Sequence, residues 1–153
     1  MKQDKDPKVR AQAAFAIGEV ETASGAKALS DVLKTQTEDV EIRSRVIEAL
    51  GKIAAALPAE QKGRLTEIAV VILEHLKSES EQTNPNRQFL LLGITAVLRS
   101  KPADGGQTLA SLLSNKDPRI RSDAGNALAR LRSKDGNAKL LELLTTDPDA
   151  NVR

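Results

Sequence analysis

Asp117-Pro118-Arg119-Ile120-Arg121, followed by Ala124-Gly125, Leu128-Ala129 and Leu131, is the stretch that decides the fold. Asp accepts backbone N–H bonds at a helix start, and Pro at the first helical position lacks only a donor that the helix leaves orphaned there. Behind Arg121 the apolar and small residues fall three, four, seven, eight and ten places on, the spacing of one helical face. The opening recurs as Asp6-Pro7-Lys8-Val9-Arg10, Asp39-Val40-Glu41-Ile42-Arg43 and Asp149-Ala150-Asn151-Val152-Arg153. A degenerate copy, Thr83-Asn84-Pro85-Asn86-Arg87, lacks the Asp and the apolar residue before Arg. The arginines are spaced by 33, 44, 34 and 32 residues, a period proper to stacked helix pairs.

Each arginine leads the same pattern. Seven places on stand Ile17, Leu50, Ile94 and Leu128, and eight places on stand Gly18, Gly51, Thr95 and Ala129, small enough for a second helix to cross closely. A Leu-rich second helix follows in every unit: Leu29, Val32 and Leu33; Leu65, Ile68, Ile72 and Leu76; Leu109, Leu112 and Leu113; Leu140, Leu141, Leu143 and Leu144. Turns are expected at Ser24-Gly25, Pro58, Pro102 to Gly106 and Asp135-Gly136. One such pair cannot bury its apolar faces alone, so consecutive pairs must stack.

The D-P-x-V-R opening, the small residue eight places on and the Leu-rich second helix resemble HEAT repeats, in the bacterial form also seen in phycobilisome-lyase-like sequences. The resemblance implies an all-α fold, a right-handed α-α superhelix of about four helix pairs. It also implies that first helices lie on the convex side and second helices line the concave side. The units run approximately over 6–38, 39–82, 83–116 and 117–148, with a fifth opening at 149–153, in one domain over 1–153. No polar capping unit is visible, so the expectation is a fragment of a longer repeat protein.

Composition narrows the function. Lys plus Arg number 23 and Asp plus Glu 21, a net charge of +2, too balanced to point to nucleic acid or an anionic membrane. With no cysteine, thiol chemistry and disulfides are excluded. The charged opening Met1 to Asp6 has no apolar signal core, and no apolar run approaches a membrane span, so the expected compartment is the cytoplasm. Two Phe are the only aromatic residues, which disfavours base stacking.

No catalytic constellation emerges. His75, the single histidine, has no nucleophile or orienting partner in sequence and reads as a helix-surface residue. One His cannot build a zinc site. Gly105-Gly106 and Gly136 lack any phosphate-loop string. Glu79 and Glu81, within the polar stretch Ser78 to Thr83, read as part of a solvated loop. Arg119, Arg121, Arg130, Arg132 and Lys134 divide between two faces of a helix and read as solvated. The recurrent Asp and Arg read as caps and as pairs between neighbouring units rather than as a grip on an anion.

The expected activity is therefore none, with no cofactor and no metal, and the expected role is a protein-interaction scaffold or regulatory module. Partners would be another protein or another domain of the same chain, with no membrane and an open oligomeric state. Concave polar positions are the expected contacts: Lys27, Asp31, Lys34, Arg64, Glu67, His75, Gln107, Ser111, Lys139 and Glu142. Phe15, Phe89 and Leu92 fall off the core face and read either as ordinary core beneath the longer second unit or as an apolar partner patch. Alternatives are a nucleic-acid-binding HEAT-like module, a tetrapyrrole (bilin) lyase or its accessory protein, and the non-catalytic arm of a fused enzyme such as a peptidyl-prolyl isomerase.

Overall fold

The first backbone N–H groups of a helix have no partner inside it, and this chain meets that need repeatedly with one device. Asp6 Oδ1 accepts from the Lys8 N–H at 2.9 Å, Asp39 from Glu41 at 2.7 Å and Asp117 from Arg119 at 2.9 Å. Asn86 does the same for Phe89, at 2.9 Å. The helices so opened are α1 (Pro7–Val20), α3 (Val40–Ala56), α7 (Pro118–Leu131) and α5 (Arg87–Ser100). Between them run α2 (Ala23–Leu33), α4 (Lys62–Ser80) and α6 (Gly105–Leu112), and α8 (Asn137–Thr146) follows α7. These come from a computed structural model that describes residues 4–35 and 39–153. Among the described residues there is no strand, and no helix is long and apolar enough to cross a membrane.

The repeated arginine has a local job. Arg10 Nη1 donates to the Asp4 carbonyl at 2.7 Å, Arg121 Nη1 to that of Asn115 at 2.8 Å, and Arg153 Nη1 to that of Asp147. In each case the residue that supplies this carbonyl also closes a turn with its side chain: Asp4 accepts from Asp6 N–H, Asn115 from Asp117 and Asp147 from Asp149, each at 2.9 Å. Arginine four places past the cap thus ties the helix to the loop that leads into it.

The caps correct one register. Aligned by arginines, Arg87 would match Arg10, Arg43 and Arg121. Aligned by caps, Asn86 matches Asp6, Asp39 and Asp117, three residues away from the arginine alignment. Leu90 then stands where the others carry Arg, and Phe89 joins Val9, Ile42 and Ile120 as the apolar residue before it. The core face of α5 is accordingly Phe89, Leu90, Gly93, Ile94, Ala96 and Val97, while Leu91, Leu92 and Leu98 are only half-buried. Phe89, expected off the core face, is inside.

The chain divides into two compact units, Met1–Pro102 and Ala103–Arg153. In the first, α1 packs on α3 and α3 on α5, with α2 and α4 forming a second row. Those crossings are tight because a glycine sits at each: a Cβ on Gly18 would stand 2.7 Å from Ala49 Cα, and one on Gly51 2.8 Å from Ala96 Cα. Leu29, Ile47, Leu50, Ile53, Ile72 and Leu76 are fully buried between the rows, each adding about 1.5–3 kcal/mol. In the second unit α6 packs on α7 around Leu109, Leu113, Ala124 and Leu128. Two expected turns lie elsewhere. Ser24-Gly25 is inside α2, the break falling at Glu21, whose φ of 53° ends α1 in a left-handed cap. Gly105 and Gly106 open α6 and are buried.

Candidate functional site

On α2, residues 23, 27, 30 and 34 share one face, and on α4 residues 64, 68 and 71 do. These two faces enclose an open groove of about 570 Å³. Its floor is apolar: Ala26 and Ile68 are buried, and Val71 is half-buried. Lys27, Asp31 and Lys34 rise from α2, and Arg64 and Glu67 from α4. Half of the ten polar positions expected to bind are therefore brought together here.

The charges in the groove are unevenly tied. Lys27 Nζ lies 3.2 Å from Asp31 Oδ2, but that pair is exposed and contributes little. Among the described residues, Lys34, Arg64 and Glu67 have no ion-pair partner. His75 sits further along α4, half-buried and outside the groove's lining. Burial holds its pKa below the usual histidine value, and Arg43 and Lys34 add to this while Glu74 opposes it. It is neutral at pH 7.

The other expected contacts belong to the second unit. Gln107 and Ser111 are exposed on α6, where Ser111 Oγ donates to the Thr108 carbonyl at 2.8 Å. Lys139 and Glu142 pair with each other on α8 at 2.7 Å.

Phe15, Phe89 and Leu92 do not make one exposed patch. Phe89 is completely buried beneath the Arg43 guanidinium, 4.8 Å from the ring centre. Phe15 is half-buried under Lys52 and Arg45, 4.6 and 5.7 Å from its ring centre. Both cations also hold Glu48, and Lys52 reaches Glu19 across to α1. Burial raises the Glu48 pKa, but hydrogen bonds from Arg45 and Lys52 outweigh it and leave the carboxyl more acidic than usual.

Two features escaped the sequence reading. Glu79, read as a loop carboxylate, lies within α4 and is 2% exposed. Its Oε2 takes the Arg43 guanidinium at 3.0 Å and its Oε1 the Asn86 N–H at 2.7 Å. Arg121 has a parallel arrangement: its Nε and Nη2 grip both oxygens of Asp147 at 2.7 Å, and Asp147 holds the Asp149 N–H. Second, Leu141 and Leu144, expected in the core, are 70% and 57% exposed. They flank a groove of about 590 Å³ between α7, α8 and residues 151–153. No periodicity could reveal that, because leucine at the right spacing looks the same whether or not a neighbour covers it.

Residues 1–69 and 69–153 match the family described as HEAT repeats. The chain belongs to the HEAT-repeat family. The crystal structure of an engineered protein, from a structural genomics consortium, superposes on this HEAT chain with a TM-score of 0.66. It is 22% identical and covers 98% of this chain and 71% of its own, a likeness of fold alone. No curated protein matches the HEAT chain. Among its described residues no cluster of His, Cys, Asp or Glu could hold a metal ion.

Proposed function

We propose that this HEAT chain is a non-catalytic protein-binding scaffold and that the groove between α2 and α4 receives the partner. One observation carries the reading: five polar side chains on two helices converge over an apolar floor, and three of them, Lys34, Arg64 and Glu67, are not engaged in ion pairs among the described residues. Apolar floors with unspent charges at the rim suit an extended or helical protein segment, which gains burial below and orientation above. HEAT repeats commonly mediate such contacts. The mixed signs oppose a nucleic-acid phosphate backbone, which would leave Asp31 and Glu67 facing like charge.

Partner capture on immobilised protein tests this. Wild type is compared with Lys34→Glu/Arg64→Glu, both sites being solvent-facing, after equal helicity is verified. A protein retained by wild type and lost by the variant supports the reading; equal retention by both sinks it. A duplex DNA titration is run alongside at 50 and 200 mM salt, on the order of the range where phosphate contacts weaken steeply. Tight binding that collapses with salt would replace the protein reading with a nucleic-acid one.

A further inference from the structure

We propose that, on the reading that the groove between α2 and α4 is the binding surface, its occupant is a helix of about three turns with an acidic residue at each end and an apolar pair between them. The two helices of the groove run side by side in the same direction. Lys34, at the C-terminal cap of α2, lies close enough to His75 to press its pKa down. Ala23, at the start of α2, and Arg64, near the start of α4, line the same groove. Antiparallel helices with Lys34 beside His75 would instead carry the start of α2 past the end of α4. Lys34 and Arg64 therefore stand at opposite ends. The stretch from Arg64 to His75 is eleven residues, about 16 Å of helix.

Along α4, Arg64, Ile68, Val71 and His75 step by four, three and four residues and share one helical face. Buried Ala26 of α2 completes the apolar floor in the middle, and Ala23 and Ser30 keep that wall low enough for a third helix to come close. A helix lying along the groove can repeat the same steps. Its residues i and i+11 return to within about 20° of one face and stand about 16 Å apart, and i+4 and i+7 fall between them on that face. An extended chain covers 16 Å in about five residues, an odd step, so its two end side chains point to opposite sides. The helix aims both ends at the protein; the strand aims one.

The rim selects the sign of those ends. Lys27 and Asp31 satisfy each other at 3.2 Å. Lys34 and Arg64 have no ion-pair partner among the described residues, and of the charges lining the groove Glu67, one turn in from Arg64, is what opposes them. Carboxylates at i and i+11 meet the two cations, and a neutral or basic residue one turn in from the end avoids Glu67. Rim charges of this kind govern encounter and choice of partner, while the apolar pair supplies the burial.

Three fluorescent peptides of about fifteen residues, with alanine and glutamine at the remaining positions to favour helix, are the probes. The first carries Glu at i and i+11 and Leu at i+4 and i+7. The second has Lys in place of both Glu. The third has its second Glu moved to i+9, on the far face. Anisotropy titrations are made on the full chain and on Lys34→Glu/Arg64→Glu, both exposed positions, with equal helicity checked. Wild type is expected to bind the first peptide at least about fivefold tighter than the second and about twofold tighter than the third, and the variant to prefer the second. No binding of the first peptide, equal affinity for all three, or a preference that survives the charge reversal overturns the proposal. Partner capture on the same variant separates this failure from failure of the groove. Peptides that fail while capture still depends on Lys34 and Arg64 sink the acidic helix alone; capture indifferent to both residues sinks the groove and the helix with it.

Discussion

Glu79 shows how much one buried carboxylate can organise. It neutralises Arg43, whose guanidinium in turn roofs Phe89, and it holds the backbone of Asn86 at the start of α5. Removing one partner of a buried pair strands the other, so Glu79→Ala is expected to cost about 3 kcal/mol in urea unfolding. Exposed Asp31→Ala, which removes a solvent-screened pair, should cost less than about 1 kcal/mol. A Glu79 variant no weaker than the Asp31 variant would refute this role. Gly51 makes a steric counterpart: any side chain there meets the Ala96 backbone, so Gly51→Leu should destabilise by about 3 kcal/mol, read from the same unfolding curves. His75 gives a pH signature. Its folded-state pKa lies below the ordinary 6.5, so on acidification the unfolded chain takes up the proton first and stability falls as pH drops through that value. Above it both states are neutral and the effect vanishes. The Tm of wild type should therefore fall relative to that of His75→Gln as pH goes from about 7 to about 5.5. A difference that stays constant would rule the histidine out as the source.

At the scale of the helix, the cap is what sets register, and it was only partly legible. Asp-Pro announced α1 and α7 because both residues have a local reason to open a helix. Asn86 can cap as well as Asp, but with Arg directly behind it the arginine captured the alignment and displaced the third unit by three residues. The predicted consequence is specific. Asn86→Ala should cost about 1 kcal/mol in thermal or urea unfolding, while Asn86→Asp should be close to neutral. An Asn86→Ala variant as stable as wild type would mean that the cap does not define the start of α5. The same displacement explains why Phe89 looked like surface, since three residues advance a helix by about 300° and leave the assigned face about 60° off. Helix content and the small residues at Gly18 and Gly51 were readable, because each depends on spacing within one element. Glu79 was not, because its partners lie 36 residues before it and seven after, and no local pattern records a contact of that kind. Nor were the bare leucines of α8, whose exposure depends on what packs beside them rather than on their own helix.

Across the whole molecule, stability in a stack of repeats is a sum of each unit's own terms and those shared with its immediate neighbours. The residues 4–102 side of this chain carries two glycine crossings and the Glu79 hub, and residues 103–153 are organised around α6, α7 and the Arg121–Asp147 pair. A lesion in one region should then loosen amides near it far more than distant ones, as local opening does. Amide exchange of Gly51→Leu is the measurement. Protection should fall at Ile47, Leu50 and Ile53 of α3 and at Ile94 and Val97 of α5, which flank the widened crossing. It should fall least at Ala124 and Leu128 of α7, whose packing against Leu109 and Leu113 does not involve Gly51. Equal loss of protection at every one of these amides would show a single cooperative unit and remove the nearest-neighbour description. Loss graded by distance from residue 51 would support it.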